Sequence, residues 1–201
     1  FEAFDEYNFH TGVVLQNTAG QLSGLSDTVF DEIAFGLINQ GMSEEEASKS
    51  VVRAACQMGL EDLLEQAPDT LSGGQTQRLA IASEIAFDPE FLIMDDPTSQ
   101  MDPVGRKEFF EWLAGCSEKT IFIVSNEVDD LCEIADQLWV LEKGELIASG
   151  KPLDVINQVA EGHDLYLPVI YRMAKELGKK LPSGLFPVKL SELKGCFDDQ
   201  N

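Results

Sequence analysis

Residues 71–102 read LSGGQTQRLAIASEIAFDPEFLIMDDPTSQMD, which spells out a helix, a break and a strand in succession. Ser72 followed by Gln75 makes a capping box, so Ser72 is expected to be the N-cap of a helix. Gly73 and Gly74 leave the first amides of that helix bare of side chains. Unpaired N–H groups at the positive end of a helix dipole favour an anion, so a phosphate can approach the backbone there. Asp88 and Pro89 break the helix, and Phe91-Leu92-Ile93-Met94 is a short apolar run that predicts a buried parallel strand. Asp95 and Asp96 close it at the C-terminal edge, where open α/β sheets place ligands and a carboxylate can hold Mg2+ through water.

The flanking sequence supplies the rest of an alternating α/β pattern. Residues 1–10 are aromatic and acidic without a clear period, and Gly12-Val13-Val14-Leu15-Gln16 reads as a short buried strand. From residue 26 to 41, Val29, Phe30, Ile33, Ala34, Leu37 and Ile38 recur at helical spacing, with Asp27, Asp31 and Glu32 early, where they suit the dipole. Ser43 and Glu46 form a second capping box, opening a helix that runs to Met58 and stops at Gly59. The run Glu44, Glu45, Glu46 reads as first-turn dipole matching rather than a metal site. After the acidic pair, Asp102-Pro103 is an N-cap followed by Pro at N1, and Val104, Phe109, Phe110 and Leu113 are expected to face one way until Gly115. Residues 120–124 form another apolar strand, 128–135 a helix, and 138–141 a strand that turns at Lys143-Gly144 into 145–148. Strands alternating with helices imply a doubly wound sheet. Beyond Gly150 a helical appendage is expected, with Pro152 at one helix start and residues 165–177 as a second amphipathic helix.

Composition excludes several classes. A net charge of -22, from 14 basic and 36 acidic residues, would repel nucleic-acid phosphates and acidic lipid alike. No apolar run is long enough to span a bilayer. Cys56, Cys116, Cys132 and Cys196 lie far apart without a CxxC pair, which argues against zinc and a disulfide framework and fits a reducing cytosol.

The order LSGGQ-x-QR, apolar strand, Asp-Asp-Pro-Thr-Ser and then Met101-Asp102 resembles the nucleotide-binding subunit of an ABC transporter. That resemblance implies a P-loop NTPase (RecA-like) doubly wound α/β sheet, with an inserted α-helical signature subdomain. It makes Leu71, Ser72, Gly73, Gly74 and Gln75 the signature that caps ATP held by an opposing subunit. It also makes the strand ending at Asp95 the Walker B strand, a holder of Mg2+, and residues 99–102 the D-loop, with Asp102 near the nucleotide. Gln16-Asn17 resembles the glutamine loop, whose Gln reaches the metal and the attacking water. The expected segments are 1–25, 26–86, 87–150 and 151–201: the end of the core with the glutamine loop, the helical subdomain, the core with Walker B and switch region, and a C-terminal helical extension. That tail, together with residues 31–37, resembles the ATPases of energy-coupling-factor importers of vitamins and transition-metal ions in prokaryotes. The resemblance implies two partners at the cytoplasmic face of the membrane: a second ABC ATPase subunit, and an integral membrane subunit docking between Gln16 and Phe35. No nucleic-acid partner is implied.

Three positions depart from the family. No GxxxxGK[ST] phosphate cradle occurs in the sequence, so the core is expected to be incomplete at the N-terminus, a truncation being the simpler reading because residue 1 is Phe. Gly150-Lys151-Pro152 and Gly178-Lys179-Lys180 lack the motif's other residues. Asp96 stands where the family carries a catalytic Glu, and Asn126 where it carries the switch His. A carboxylate drawn back by a methylene can cost ~10²-fold in rate, so slow hydrolysis at this chain's own site is expected. The alternative reading is a degenerate subunit that completes a partner's ATP site in trans. A soluble ABC protein of translation or chromosome maintenance would instead carry nucleic-acid affinity or a coiled coil, against this charge.

Overall fold

The computed structural model describes residues 11–163 and 165–198, so the reading of residues 1–10 lies outside the described residues. The chain divides into two compact units, Phe1–Ser125 and Asn126–Asn201. Among the described residues no helix is long and apolar enough to cross a membrane.

The first unit is built on a parallel sheet of β1 (Thr11–Val14), β2 (Phe91–Asp95) and β3 (Thr120–Val124), in that order. Val14, Met94 and Ile123 share one row of the register, and Val13, Ile93 and Phe122 the next. Between β1 and β2 stand three mutually packed helices, α1 (Val29–Asn39), α2 (Glu44–Gln57) and α3 (Gly73–Ile85); α4 (Pro103–Ala114) joins β2 to β3. The core holds Val29, Ile33, Leu37, Val51, Leu79 and Ile81, each about wholly buried. Both capping boxes form as read, Ser43 with Glu46 and Ser72 with Gln75, and Gly59 turns the chain out of α2 at φ 61°. At Gly36 on α1 a Cβ would lie 2.6 Å from the Phe87 ring, so α1 and the segment after α3 meet through an absent side chain.

Some expectations fail. Helix α1 begins at Val29 with Thr28 as N-cap, because the Thr28 hydroxyl accepts from Asp31 N–H, leaving Asp27 outside. The strands are buried on one face only: Leu92 and Met94 point inward, whereas Val13, Phe91, Ile93, Phe122 and Val124 remain 38–52% exposed. Continuous apolar runs suggested two covered faces, but α3 packs on the β1 side and the opposite face keeps its apolar row open within this unit. Val104 is also exposed, while Phe109, Phe110 and Leu113 are buried as expected.

The second unit contains α5 (Val128–Ile134), β4 (Leu138–Glu142), β5 (Glu145–Gly150), α6 (Pro152–Val159), α7 (Val169–Leu177) and α8 (Leu190–Asp198). Strands β4 and β5 pair antiparallel, turning through Lys143 (φ 52°) and Gly144 (φ 84°), and stand as a sheet of their own rather than as further strands of a doubly wound one. Helix α6 packs on this hairpin, burying Ala148, Val155 and Val159. Cys132, Ile156, Tyr171 and Val188 make a second cluster. Helix α7 starts at Val169 rather than at Leu165, since Pro168 sets its N-terminus. Helix α8 was not anticipated; Val188 and Lys189 N–H groups donate to Glu192 at its start.

Candidate functional site

The C-terminal ends of β1 and β2 carry the acidic site. Asp95 ends β2 opposite Val124 of β3 and is exposed. Asp96 follows in the left-handed region at φ 47°, a conformation that Asp tolerates better than most residues. Its N–H donates to Val124 O at 2.8 Å, and its carbonyl accepts from Ser99 N–H at 3.3 Å and from Gln77 Nε2 at 3.1 Å. The backbone of Asp96 is therefore fully engaged, which fixes where its short side chain can reach. Gln16, from the loop after β1, meets it: Gln16 Nε2 lies 3.4 Å from Asp96 Oδ2. Two residues called from sequence 80 positions apart thus converge.

Gln16 is itself held indirectly. Gln21 accepts from Leu15 N–H at 3.0 Å, and its Nε2 donates to Val13 O at 2.6 Å and to Glu84 Oε1 at 2.9 Å. Glu84, on α3, also accepts from Val13 N–H at 3.1 Å. Burial pushes the Glu84 carboxyl above its ordinary value, opposed in part by those two donors.

The signature end of α3 sits against the loop that follows Asp96. Ser72 and Gly73 are exposed, and the box between Ser72 and Gln75 occupies the N–H groups of those two residues. Leu71 precedes it as the end of a short turn, its N–H on Pro68 O. A Cβ on Gly73 would come within 2.7 Å of Gln100 Oε1, and one on Gly74 within 3.0 Å of Gln100 O. At Gly74 the neighbour is Gln100 backbone and a side chain would be tight, whereas at Gly73 it is the mobile end of the Gln100 side chain; sequence reasoning assigned both glycines to a phosphate alone. Gln77, wholly buried, spans the same seam, its Oε1 accepting from Gln100 N–H at 2.9 Å. Asp102 is spent locally: Oδ1 accepts from Gly105 N–H at 2.8 Å as the N-cap of α4. Asn126 opens the second unit and is exposed; its carbonyl accepts from Val128 N–H.

Sequence reasoning missed Gln21, Gln77 and Glu84. A signal existed: Gln77, Ala80, Ile81 and Glu84 share one face of α3 at helical spacing, and a polar residue on a buried stripe must find a partner. The Asp95 carboxylate and the Gln16 amide oxygen are of the type that could hold a hard cation which keeps waters and phosphate oxygens. Among the described residues no three His, Cys, Asp or Glu cluster as a self-sufficient metal cage. The Thr98 hydroxyl, 3% exposed on the loop after Asp96, has no protein partner there, so this loop retains capacity for a further polar group.

Comparison with known proteins agrees with this geometry. Residues 4–99 match the family model described as ABC transporter. The energy-coupling factor transporter ATP-binding protein EcfA2 of Streptococcus pyogenes serotype M28 is 38% identical over 191 residues, covering 92% of this chain and 68% of that protein. EcfA2 of Streptococcus pneumoniae serotype 2 is likewise 38% identical, over 91% of this chain and 67% of its own length. Among solved structures, CbiO1 of Clostridium perfringens, described as part of the ABC transporter complex CbiONQ, superposes with a TM-score of 0.70 at 29% identity, over 88% of this chain and 68% of that one. A dimeric bacterial ABC transporter cassette gives a TM-score of 0.66 at 25% identity, over 75% of this chain and 67% of that chain. On this identity over two thirds of the relatives' length, and with the shared fold, the chain belongs to the family of ABC transporter ATP-binding proteins.

Proposed function

We propose that this chain is the ATP-hydrolysing subunit of an importer of the energy-coupling-factor type, acting as a dimer with a second ABC ATPase. In this reading it works at the cytoplasmic face of a prokaryotic membrane. It couples closure on ATP to a membrane subunit docked between Gln16 and Phe35, and its cargo is a vitamin or a transition-metal ion. The observation that carries the reading is the convergence of Gln16 on Asp96, with Asp96 tied through Gln77 to the helix that opens at Ser72. The identity to EcfA2 supports the importer type.

Bound Mg-ATP would supply the phosphoryl group to be transferred to water and the cation that screens its charge. Asp95 and Gln16 would hold the metal side, and Asp96 would accept a proton from the attacking water at its carboxylate. The exposed start of α3, with Ser72 and the amides of Gly73 and Gly74, offers positive potential to a γ-phosphate in the opposing subunit. Ser72→Arg, which sets bulk and charge at that helix start, abolishes turnover at the partner's site in a mixed dimer while ATP binding at this chain's own site persists. Loss of this chain's own turnover alone, with the partner at full rate, refutes the trans assignment.

A second reading is favoured by Asp96 and Asn126: a degenerate subunit whose own site turns over slowly while it completes the partner's. The left-handed backbone at Asp96 suits the shorter acid. Asp96→Glu with Asn126→His raises turnover at this chain's site if those two residues limit it; an unchanged rate overturns that account.

A further inference from the structure

From α3, the amide of Gln77 reaches both the loop under the signature and the backbone of the acidic pair. It is 0% exposed, and its orientation is fixed by chemistry: the nitrogen must face the Asp96 carbonyl and the oxygen the Gln100 N–H. Seven residues on, along the same face of α3, Glu84 grips β1 through Val13 N–H and the Gln16 loop through Gln21. The helix that presents Ser72 is therefore fastened at one end to the strand end carrying Asp95 and Asp96, and at the other to the strand that leads to Gln16. Gly74 leaves room for the Gln100 backbone, whose carbonyl oxygen would lie 3.0 Å from a Cβ there. A buried polar side chain is costly unless it is satisfied, and an apolar residue of equal volume would fill this space without that demand.

We infer that Gln77 is a positioning residue which makes the signature end of α3 and this chain's own Asp96 move as one body, so that capping the partner's nucleotide and aligning the acid for its own are a single event. This rests on the ATPase reading above. In a rigid fastening, displacement of the helix start by an opposing nucleotide is passed through Gln77 to the Asp96 carbonyl and the Gln100 N–H. Without it, each site closes alone.

The test uses the full chain in a mixed dimer with a competent partner ATPase, each site read separately, and Gln77→Met, which keeps volume and flexibility but no amide. Turnover at both sites is expected to fall at least tenfold with the KM for ATP changed less than twofold, and Ser72→Arg, which blocks the capping itself, is expected to slow both sites as well. Gln77→Glu keeps the acceptor for Gln100 N–H and loses the donor to Asp96, so it should restore the partner's site more than this chain's own. Amide hydrogen exchange provides a readout independent of turnover: Gln100 should exchange at least tenfold faster in Gln77→Met. If exchange rises but both rates stay within twofold of the parent, or if only one site slows, the coupling is overturned. If Gln100 exchange is unchanged, the fastening itself is overturned. A parent dimer without any turnover refutes the ATPase reading instead, and the exchange arm still decides whether the fastening exists.

Discussion

Replacing Gln21 by Leu, a side chain of similar bulk, removes one acceptor and two donated hydrogen bonds from the segment that carries Gln16. The bonds to Leu15 N–H and Val13 O lie near solvent, so water can take them over, and each contributes about 0.5 kcal/mol net. The third, to the carboxylate of Glu84, is partly buried and contributes about 1.5 to 3 kcal/mol, since a charged partner left short of a donor is costly. The sum is about 2.5 to 4 kcal/mol, roughly sixty- to seven-hundredfold in the equilibrium for local opening, where each 1.4 kcal/mol is about tenfold. Site-resolved hydrogen exchange reads this directly. The Leu15 amide loses its acceptor and should exchange on the order of a hundredfold faster, the Val13 amide less, because Glu84 still accepts from it. Steady-state turnover should fall in parallel, as Gln16 loses its support against Asp96. If Leu15 exchanges within twofold of the parent, the Gln21 bridge does not hold the loop and the reasoning fails.

Two further outcomes follow from packing and charge. The Glu84 carboxyl is raised above its ordinary value of 4.5 chiefly by burial, so its folded-state pKa exceeds the unfolded one; its ionisation is destabilising, and stability declines as pH rises from about 4.5 through the raised value. Glu84→Gln should remove that decline, read as the difference between the unfolding curves of the two proteins across that window; Asp88, held low by Lys119, titrates with the opposite sign in both. Gly36→Ala gains about 1 kcal/mol of helix propensity but drives a Cβ to 2.6 Å from Phe87, where overpacking costs about 1 to 3 kcal/mol, so a net loss of about 1 kcal/mol in urea unfolding is expected. The same substitution in a Phe87→Leu background should be neutral or stabilising.

Local rules made much of this molecule legible. Ser43 with Glu46 and Ser72 with Gln75 need only three residues of sequence separation to form, and Asp102-Pro103 only one, so these helix starts could be placed without the fold. The meeting of Gln16 and Asp96 was reached through resemblance, since nothing in either loop specifies the other. Gln77 was hidden because its two partners are backbone groups 19 and 23 residues away, and backbone carries no mark in a sequence. The purpose of Gly74 was only half seen for the same reason: the atoms it makes room for belong to the Gln100 backbone. Strand burial failed differently, because an apolar run states that a strand can be covered on both faces, not that it is.

The open row of Val13, Phe91, Ile93, Phe122 and Val124 gives this polyanion a colloidal character. Apolar attraction between copies acts at contact, while the repulsion of a net charge of -22 reaches about 8 Å at physiological ionic strength and about 3 Å in 1 M salt. Dilute buffer therefore holds molecules apart before those side chains can meet. Concentrated sulfate both shortens that reach and strengthens apolar association, so salting-out should begin early for a protein this acidic. Neutralising surface carboxylates at mild acid pH would bring the same threshold down to ordinary salt.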